Sequence, residues 1–448
     1  MSSYISRHPM LYPVAGFLAL ISLGTILLLM PFSSNSGLTF SDALFMATSA
    51  SCVNGLAVVS IGHELSFAGQ FILLSLIEVG GIGIMAISTI IMLILHSKMS
   101  FGQLSALSSS YSADDNSSTA YVVMKVVIIT LAIELCGAIM LFTQFSDMPI
   151  WERLFFSAFH AISAFCNAGF SLLDNSMQGF STNVVVNITL IFLIICGGFG
   201  FLALSEFVSS KKNKIPGKYL TLHTKLVLLM TVTLIIFGML LMLNMEWDGV
   251  LKGYSFFDKA LISVFQSVTA RSGGYSTVNF ALLGAPLLFT MILLMFIGAS
   301  PGSCGGGIKT TTAAIIVLLG INRFLGRKKT QAFNRTIPEE TVSRAVRIFV
   351  LSVIFIAITC ILLLNFETAN LSVQAGQDRF LELLFETVSA FSTCGLSMGI
   401  TEYLTTSGKI LLSVVMFVGR LGPLVLVQAV VLQPHSDAYY SEENVMVG

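Results

Sequence analysis

SASCVNGL (49–56), SAFCNAGF (163–170), VTARSGGY (268–275) and SAFSTCGL (389–396) are four versions of one short pattern. Each ends in a glycine (Gly55, Gly169, Gly274, Gly395) followed at once by Leu, Phe or Tyr, and each lies between two long apolar runs. The segments just before the glycines, such as 42–51 and 154–165, are too short to span a bilayer but suit a helix that enters and stops. Acidic residues near their starts (Asp42, Glu152, Asp258, Asp378, Glu382) favour such helices through the dipole. A repeated helix, re-entrant helix, glycine loop and helix is what a membrane ion pore needs.

Composition agrees. The 448 residues are 55% apolar and only 10% charged, with net charge zero, and mean hydropathy is +0.88. A soluble domain carries about 25% charged residues, so the chain reads as a polytopic membrane protein. Zero net charge removes any case for a nucleic-acid partner. Seven cysteines show no CxxC spacing and read as small buried residues. The first apolar run, 11–30, has no clear cleavage site and reads as a span, not a leader.

Eight runs are long enough to cross: 11–31, 68–96, 121–144, 183–208, 222–244, 284–320, 343–365 and 406–432. The expected fold is an all-α polytopic membrane protein. Its eight transmembrane helices form four parallel helix–pore loop–helix repeats around a pseudo-fourfold pore. The repeats occupy 1–100, 119–210, 219–330 and 340–434, with a cytoplasmic tail at 435–448. Basic residues cluster at Lys211, Lys212, Lys214 and Lys218, and again at Arg323, Arg327, Lys328, Lys329 and Arg335. The positive-inside rule places those loops, and with them both termini, in the cytoplasm. Units that each cross twice share one orientation, unlike the inverted repeats of many secondary transporters.

Irregular backbone at membrane depth survives only when buried in protein or lining water. Converging loops can offer carbonyls that replace a cation's hydration shell. The expected ion-binding residues are Val53, Asn54 and Gly55; Asn167, Ala168 and Gly169; Ser272, Gly273 and Gly274; and Thr393, Cys394 and Gly395. No ring of basic side chains is present to favour an anion, and no carboxylates to favour calcium. A secondary transporter of a small organic solute would want several polar groups at the midplane, which these apolar loops do not supply. An enzyme is poorer still: a GxSxG match at 298–302 and a near-match to a phosphate loop at 302–310 both lie inside a membrane run.

The third repeat alone is broken, by Gly298-Ala299-Ser300-Pro301-Gly302-Ser303-Cys304-Gly305-Gly306-Gly307, followed by Lys309. Two half-helices joined by open backbone are expected there. Arg420 sits in the middle of the last apolar run, where a basic residue costs about 3 kcal/mol. It must pair with Glu78 or Glu134, or face the pore as a positive barrier. Arg271 is expected to brace the pore mouth, and His160 to hydrogen-bond within its helix.

The four loops, GSCGGGIKT at 302–310 and FVGRLGP at 417–423 make the chain resemble the superfamily of Trk, Ktr and plant HKT potassium transporters, along nearly its whole length. Within it the likeness is to KtrB-type membrane subunits of bacterial Ktr systems, because the extra N-terminal helix pair of Trk subunits is absent and the tail ends in a similar NVMVG. The resemblance implies potassium uptake, often sodium-dependent, at a bacterial inner (plasma) membrane. It assigns 298–307 with Lys309 as an intramembrane gate and supports Arg420 as the barrier. K+, and Na+ as a coupling ion, would be the only ligands, with no cofactor bound by this chain. It also implies a homodimer and a separate KtrA-like cytoplasmic ring that binds nucleotide, for which the two basic loops are docking faces. Serine at the first filter position goes with sodium selectivity in some plant members; Gly55 favours potassium over a sodium-conducting alternative. Two positions depart from the family pattern: Ser272-Gly273-Gly274-Tyr275, where Ala-Gly-Phe is more usual, and Glu78, where glutamine is expected.

Overall fold

A computed structural model describes residues 11–83, 119–200, 203–204, 206, 220–369 and 372–422. Apart from one two-stranded hairpin it is helical. α1 (Leu11–Leu29), α2 (Phe40–Ser51) and α3 (Phe67–Ile82) form the first unit, and α4 (Thr119–Phe142), α5 (Ile150–Phe165) and α6 (Val184–Gly198) the second. The third holds α7 (Leu222–Met245), α8 (Phe256–Thr269), α9 (Ala285–Phe296) and α10 (Thr310–Phe324). The hairpin β1 (Gln331–Ala332) and β2 (Arg335–Thr336) follows. α11 (Glu339–Thr368), the short α12 (Val373–Asp378), α13 (Phe380–Ser392) and α14 (Thr406–Leu421) complete the fourth.

The starts of these helices are written in the sequence. Hydroxyl or amide side chains of Thr39, Ser66, Asn183, Thr221, Ser255 and Thr405 each accept a first-turn backbone N–H. The predicted span 284–320 is α9 and α10, separated by non-helical residues 297–309 in which Ile297 bridges Ile308. α5 begins earlier than the sequence suggested, at Ile150 behind Pro149. Two described helices, α7 and α11, are long and apolar enough to cross a membrane on their own. The rest of the predicted second and eighth spans (84–96 and 423–432), the basic cluster Lys211–Lys218, Pro423 of the 417–423 motif and the tail 435–448 lie outside the described residues.

Packing closes on itself. The helix that follows the short helix of one unit lies against the short helix of the next: α3 on α5, α6 on α8, α9 on α13, and α14 on α2. Glycines set the approach within units. A Cβ on Gly80 would lie 2.0 Å from Ser51 O, on Gly197 1.7 Å from Phe165 O, and on Gly419 1.9 Å from Phe391 O. Each of those carbonyls belongs to the last turn of a short helix, so a small residue is required there. The short helices form the core, with Phe45, Phe159, Phe165, Phe265, Phe385 and Phe391 fully buried. Polar residues such as Ser49, Asn54, Ser163 and Thr269 are buried with them, while Ile128, Leu131, Leu135 and Ile139 of α4 are exposed. An apolar exterior around a core that holds polar groups suits a lipid surround.

Candidate functional site

The four glycines have positive φ: 99° at Gly55, 70° at Gly169, 77° at Gly274 and 88° at Gly395. Two residues earlier, Val53 (55°), Asn167 (60°), Ser272 (62°) and Thr393 (47°) are also left-handed. For residues with a Cβ that conformation costs about 1–2 kcal/mol each, so the surroundings must impose it.

They do so as a ring. A Cβ on Gly55 would lie 2.2 Å from Ala168 O, on Gly169 3.0 Å from Gly273 O, on Gly274 2.7 Å from Cys394 O, and on Gly395 2.3 Å from Asn54 O. Each glycine therefore abuts the carbonyl of the residue before the next unit's glycine, and the fourth returns to the first. All twelve expected ion-binding residues thus belong to the four loops that meet here.

Hydroxyls at the start of each motif tie the loops back to the short helices. Ser49 donates to Leu56 O (2.7 Å), Ser163 to Phe170 O (2.9 Å) and Thr269 to Tyr275 O (2.7 Å), while Ser389 Oγ accepts from Gly395 N (3.1 Å). Other bonds cross between units. Asn54 Nδ2 donates to Ala390 O (2.9 Å), Cys394 Sγ to Ala270 O (3.4 Å), and Tyr275 Oη to Phe170 O (3.0 Å). These ties were not singled out from sequence, although the hydroxyl recurring at the head of the motif was the available signal. His160 behaves as expected, with Nδ1 2.8 Å from Phe156 O one turn back and Nε2 3.2 Å from Ser171 Oγ.

Because the short helices end at the ring, their carbonyl termini present partial negative charge to it. A vestibule of about 570 Å³ opens above, lined by the four glycines and by loop residues after them, among them Ser60, Asp174 and Glu402. Among the described residues no lysine, arginine or histidine lines it.

Residues 297–309 touch the ring from the other side, at positions before the glycines. Gly306 N donates to Thr393 Oγ1 (2.7 Å), and a Cβ on Gly305 would lie 3.0 Å from Ser272 Cβ. The backbone here is not orphaned: Ser300 N and Cys304 N donate to Gly198 O (3.0 Å) and Gly197 O (3.2 Å), and Thr310 N to Ala299 O (3.2 Å). Gly298 lies under Gly306 O, with 2.2 Å left for a Cβ, and Pro301 O approaches Gly200 to 2.5 Å on the same measure. Ala299, Ser303, Gly302 and Gly307 complete the turn, the two glycines at φ 70° and 68°. Lys309 Nζ holds Gly305 O (2.5 Å).

Arg420 does not pair with Glu78 or Glu134. Its guanidinium donates to Cys304 O of the broken segment and to Gly80 O of α3 (2.5 Å). Carbonyls freed by helix interruption and helix end supply acceptors where no carboxylate reaches. Arg271 also departs from expectation. It is buried, points behind its loop to Thr231 of α7 (3.4 and 3.5 Å), and is not among the residues lining the vestibule. The second basic segment runs from the end of α10 into the β1–β2 hairpin: Asn322 Nδ2 donates to Gln331 O (3.1 Å), Arg323 to Lys328 O (2.6 Å), and Arg327, Lys328 and Lys329, ahead of β1, remain exposed.

The sequence profile of the TrkH family, described as cation transport protein, matches residues 5–441. The Ktr system potassium uptake protein B of Bacillus subtilis is 35% identical over 436 residues, covering 97% of this chain and 95% of that protein. The potassium/sodium uptake protein NtpJ of Enterococcus hirae is 35% identical over 442 residues, covering 97% and 96%. The crystal structure of the potassium transporter TrkH from Vibrio parahaemolyticus shares the fold, with a TM-score of 0.76 at 20% identity over 95% of this chain and 85% of that one. With a fold common to a polytopic membrane transporter and sequence likeness along nearly its full length, the chain belongs to the TrkH family of cation transport proteins.

Proposed function

We propose that the protein takes up potassium through the centre of the glycine ring, with sodium as a coupling ion. As a member of a transport family it is a transporter and not an enzyme. The observation that carries the potassium reading is the closed order of contacts from Gly55 to Ala168 O, Gly169 to Gly273 O, Gly274 to Cys394 O and Gly395 to Asn54 O. A ring of backbone carbonyls, with helix C-termini behind it and no cationic side chain among the described residues lining the vestibule, suits a dehydrated alkali cation. The four units then act as parallel repeats, eight crossings in all, with the vestibule outside and both termini inside.

In this reading residues 298–307 with Lys309 are the gate and Arg420 is a positive barrier on the path below the ring. Contacts of Gly306 with Thr393 and of Arg420 with Cys304 support it. The relatives named as Ktr system and potassium/sodium uptake proteins support the substrate and a bacterial membrane location, and the Ktr system name supports a KtrA-type partner, which the resemblance implies is a nucleotide-binding ring. The exposed basic segment 323–335, which ends in the β1–β2 hairpin, is the described surface on which such a ring would dock. The family resemblance adds a homodimer.

Rubidium uptake in cells lacking their own potassium transporters tests the reading. Uptake that saturates, is competed by potassium and rises with added sodium is expected. Uptake no greater than in empty-vector cells, by protein that reaches the membrane, overturns it.

A further inference from the structure

Glu78 of α3, Glu134 of α4 and Cys166 at the end of α5 come from three elements and meet at one point. Cys166 Sγ lies 3.6 Å from Glu78 Oε2 and 3.9 Å from Glu134 Oε1, and one ligand atom from each residue falls within 4.8 Å of the others. We propose that these three side chains bind a divalent transition-metal ion of the zinc class.

Geometry is the first argument. With metal–sulfur and metal–oxygen bonds of about 2.3 and 2.0 Å, the edge of a tetrahedral site from sulfur to oxygen is about 3.5 Å. The two observed separations, 3.6 and 3.9 Å, are close to that edge. Satisfaction is the second. Glu134 is only 4% exposed, and its carboxylate meets no lysine, arginine, histidine, hydroxyl or amide donor among the described residues. Glu78 Oε1 is buried and has no hydrogen-bond partner among the described residues. Arg420, the nearest candidate cation by sequence reasoning, is committed to Gly80 O and Cys304 O. Two carboxylates facing each other, Glu134 buried and Glu78 half-buried, need either a shared proton or a counter-charge, and a divalent ion supplies the second. Ligand chemistry is the third: a thiolate selects a zinc-class metal over the alkali and alkaline-earth ions that prefer oxygen.

The site adjoins the broken segment. A Cβ on Gly81 would lie 2.5 Å from Cys166 Sγ, and Gly81 O accepts from Cys304 Sγ (3.4 Å). Cys304 is thus the nearest further thiol to complete the coordination. Cys166 loses its proton on binding. Clamping α3, α4 and Cys166 beside residues 297–309 would slow transport; that consequence rests on the gate reading above, while the binding does not.

The test uses purified full-length protein in lipid nanodiscs, titrated with Co2+ alone. The expected result is one tightly bound Co2+ per protomer, a sulfur-to-cobalt charge-transfer band, and displacement by Zn2+. Cys166→Ser should remove that band, and Glu134→Gln should weaken binding about tenfold or more. Glu78→Gln installs the residue expected at this position in the family, so it tests the site even if another variant fails to fold; it too should weaken binding about tenfold. No bound Co2+, a band that survives Cys166→Ser, or affinity unchanged in both glutamine variants would overturn the proposal. So would an infrared carboxylic-acid band that Co2+ does not displace, because the pair would then be neutralised by a shared proton. Transport of rubidium is measured separately, so loss of the transport reading and loss of the metal site are distinguished.

Discussion

Arg420, in the last described helix, donates to the main-chain oxygen of Cys304, in the one segment where the third unit is broken. The same guanidinium reaches Gly80 O of the first unit, 2.5 Å away. One side chain therefore joins the fourth, third and first units just below the glycine ring. Replacing Arg420 by Ala removes both the fixed charge and the latch. If the positive barrier is worth even about 1.4 kcal/mol, rubidium uptake should rise about tenfold. Deleting 299–306 should raise it as well. A wild-type current–voltage relation in Arg420→Ala would remove Arg420 as a barrier, and unchanged flux in a well-folded deletion would remove 299–306 as the proposed gate.

Gly55 has the least room in the ring. Its φ is +99° and a Cβ would sit 2.2 Å from Ala168 O. Gly55→Ser must push that carbonyl away, and strain of about 1–2 kcal/mol corresponds to roughly a tenfold loss of potassium throughput. The ratio of sodium to rubidium uptake should rise at the same time. A variant that loses both ions equally would show that Gly55 sets conductance and not preference.

Tyr275 departs from the usual phenylalanine by one hydroxyl, which donates to Phe170 O at 3.0 Å. That oxygen also accepts from Ser163, so it stays bonded when the phenol is removed. Tyr275→Phe should retain uptake and lower stability by about 1 kcal/mol, read as a small drop in thermal midpoint in detergent. Loss of uptake with the midpoint unchanged would mean that the hydroxyl acts on the ion path.

How these features could be read from sequence depended on how local they are. The four motifs, the capped helix starts and the break after Phe296 are set by neighbours within a few residues, and each appears where periodicity and glycine content place it. Arg420 was found for the same reason, since a charge inside an apolar run is conspicuous. Its partners were not, because Gly80 and Cys304 are far away in the chain and a carbonyl acceptor leaves no mark on residue type. Arg271 was misplaced on similar grounds: its position beside the loop was evident, but which way the side chain turns depends on Thr231, forty residues earlier. The Ser and Thr hydroxyls that pin the loops stand at or next to the head of each motif, and only folding shows that Ser49, Ser163 and Thr269 reach forward to the carbonyl after the glycine while Ser389 accepts from the glycine N–H.

Among the described residues, closure of the ring between the last unit and the first has one ionic contact. Lys409 Nζ lies 2.7 Å from Asp42 Oδ1, with side chains only 13% and 16% exposed. Asp42 also accepts from Thr39, the cap of α2. In Asp42→Asn the ammonium loses its counter-charge in a poorly hydrated seam, and a charged hydrogen bond of this kind is worth about 1.5–3 kcal/mol. Thermal unfolding followed by intrinsic fluorescence should shift down accordingly, and added salt should change the shift little because the pair is shielded. Arg344 and Glu340 on α11 give the contrast: a 3.4 Å pair with side chains 57% and 82% exposed. Removing Glu340 should cost no more than about 0.5 kcal/mol, and salt should abolish even that. If the two variants shift the midpoint equally, the seam between α14 and α2 is held by helix packing alone, and Lys409 has no part in closing the ring.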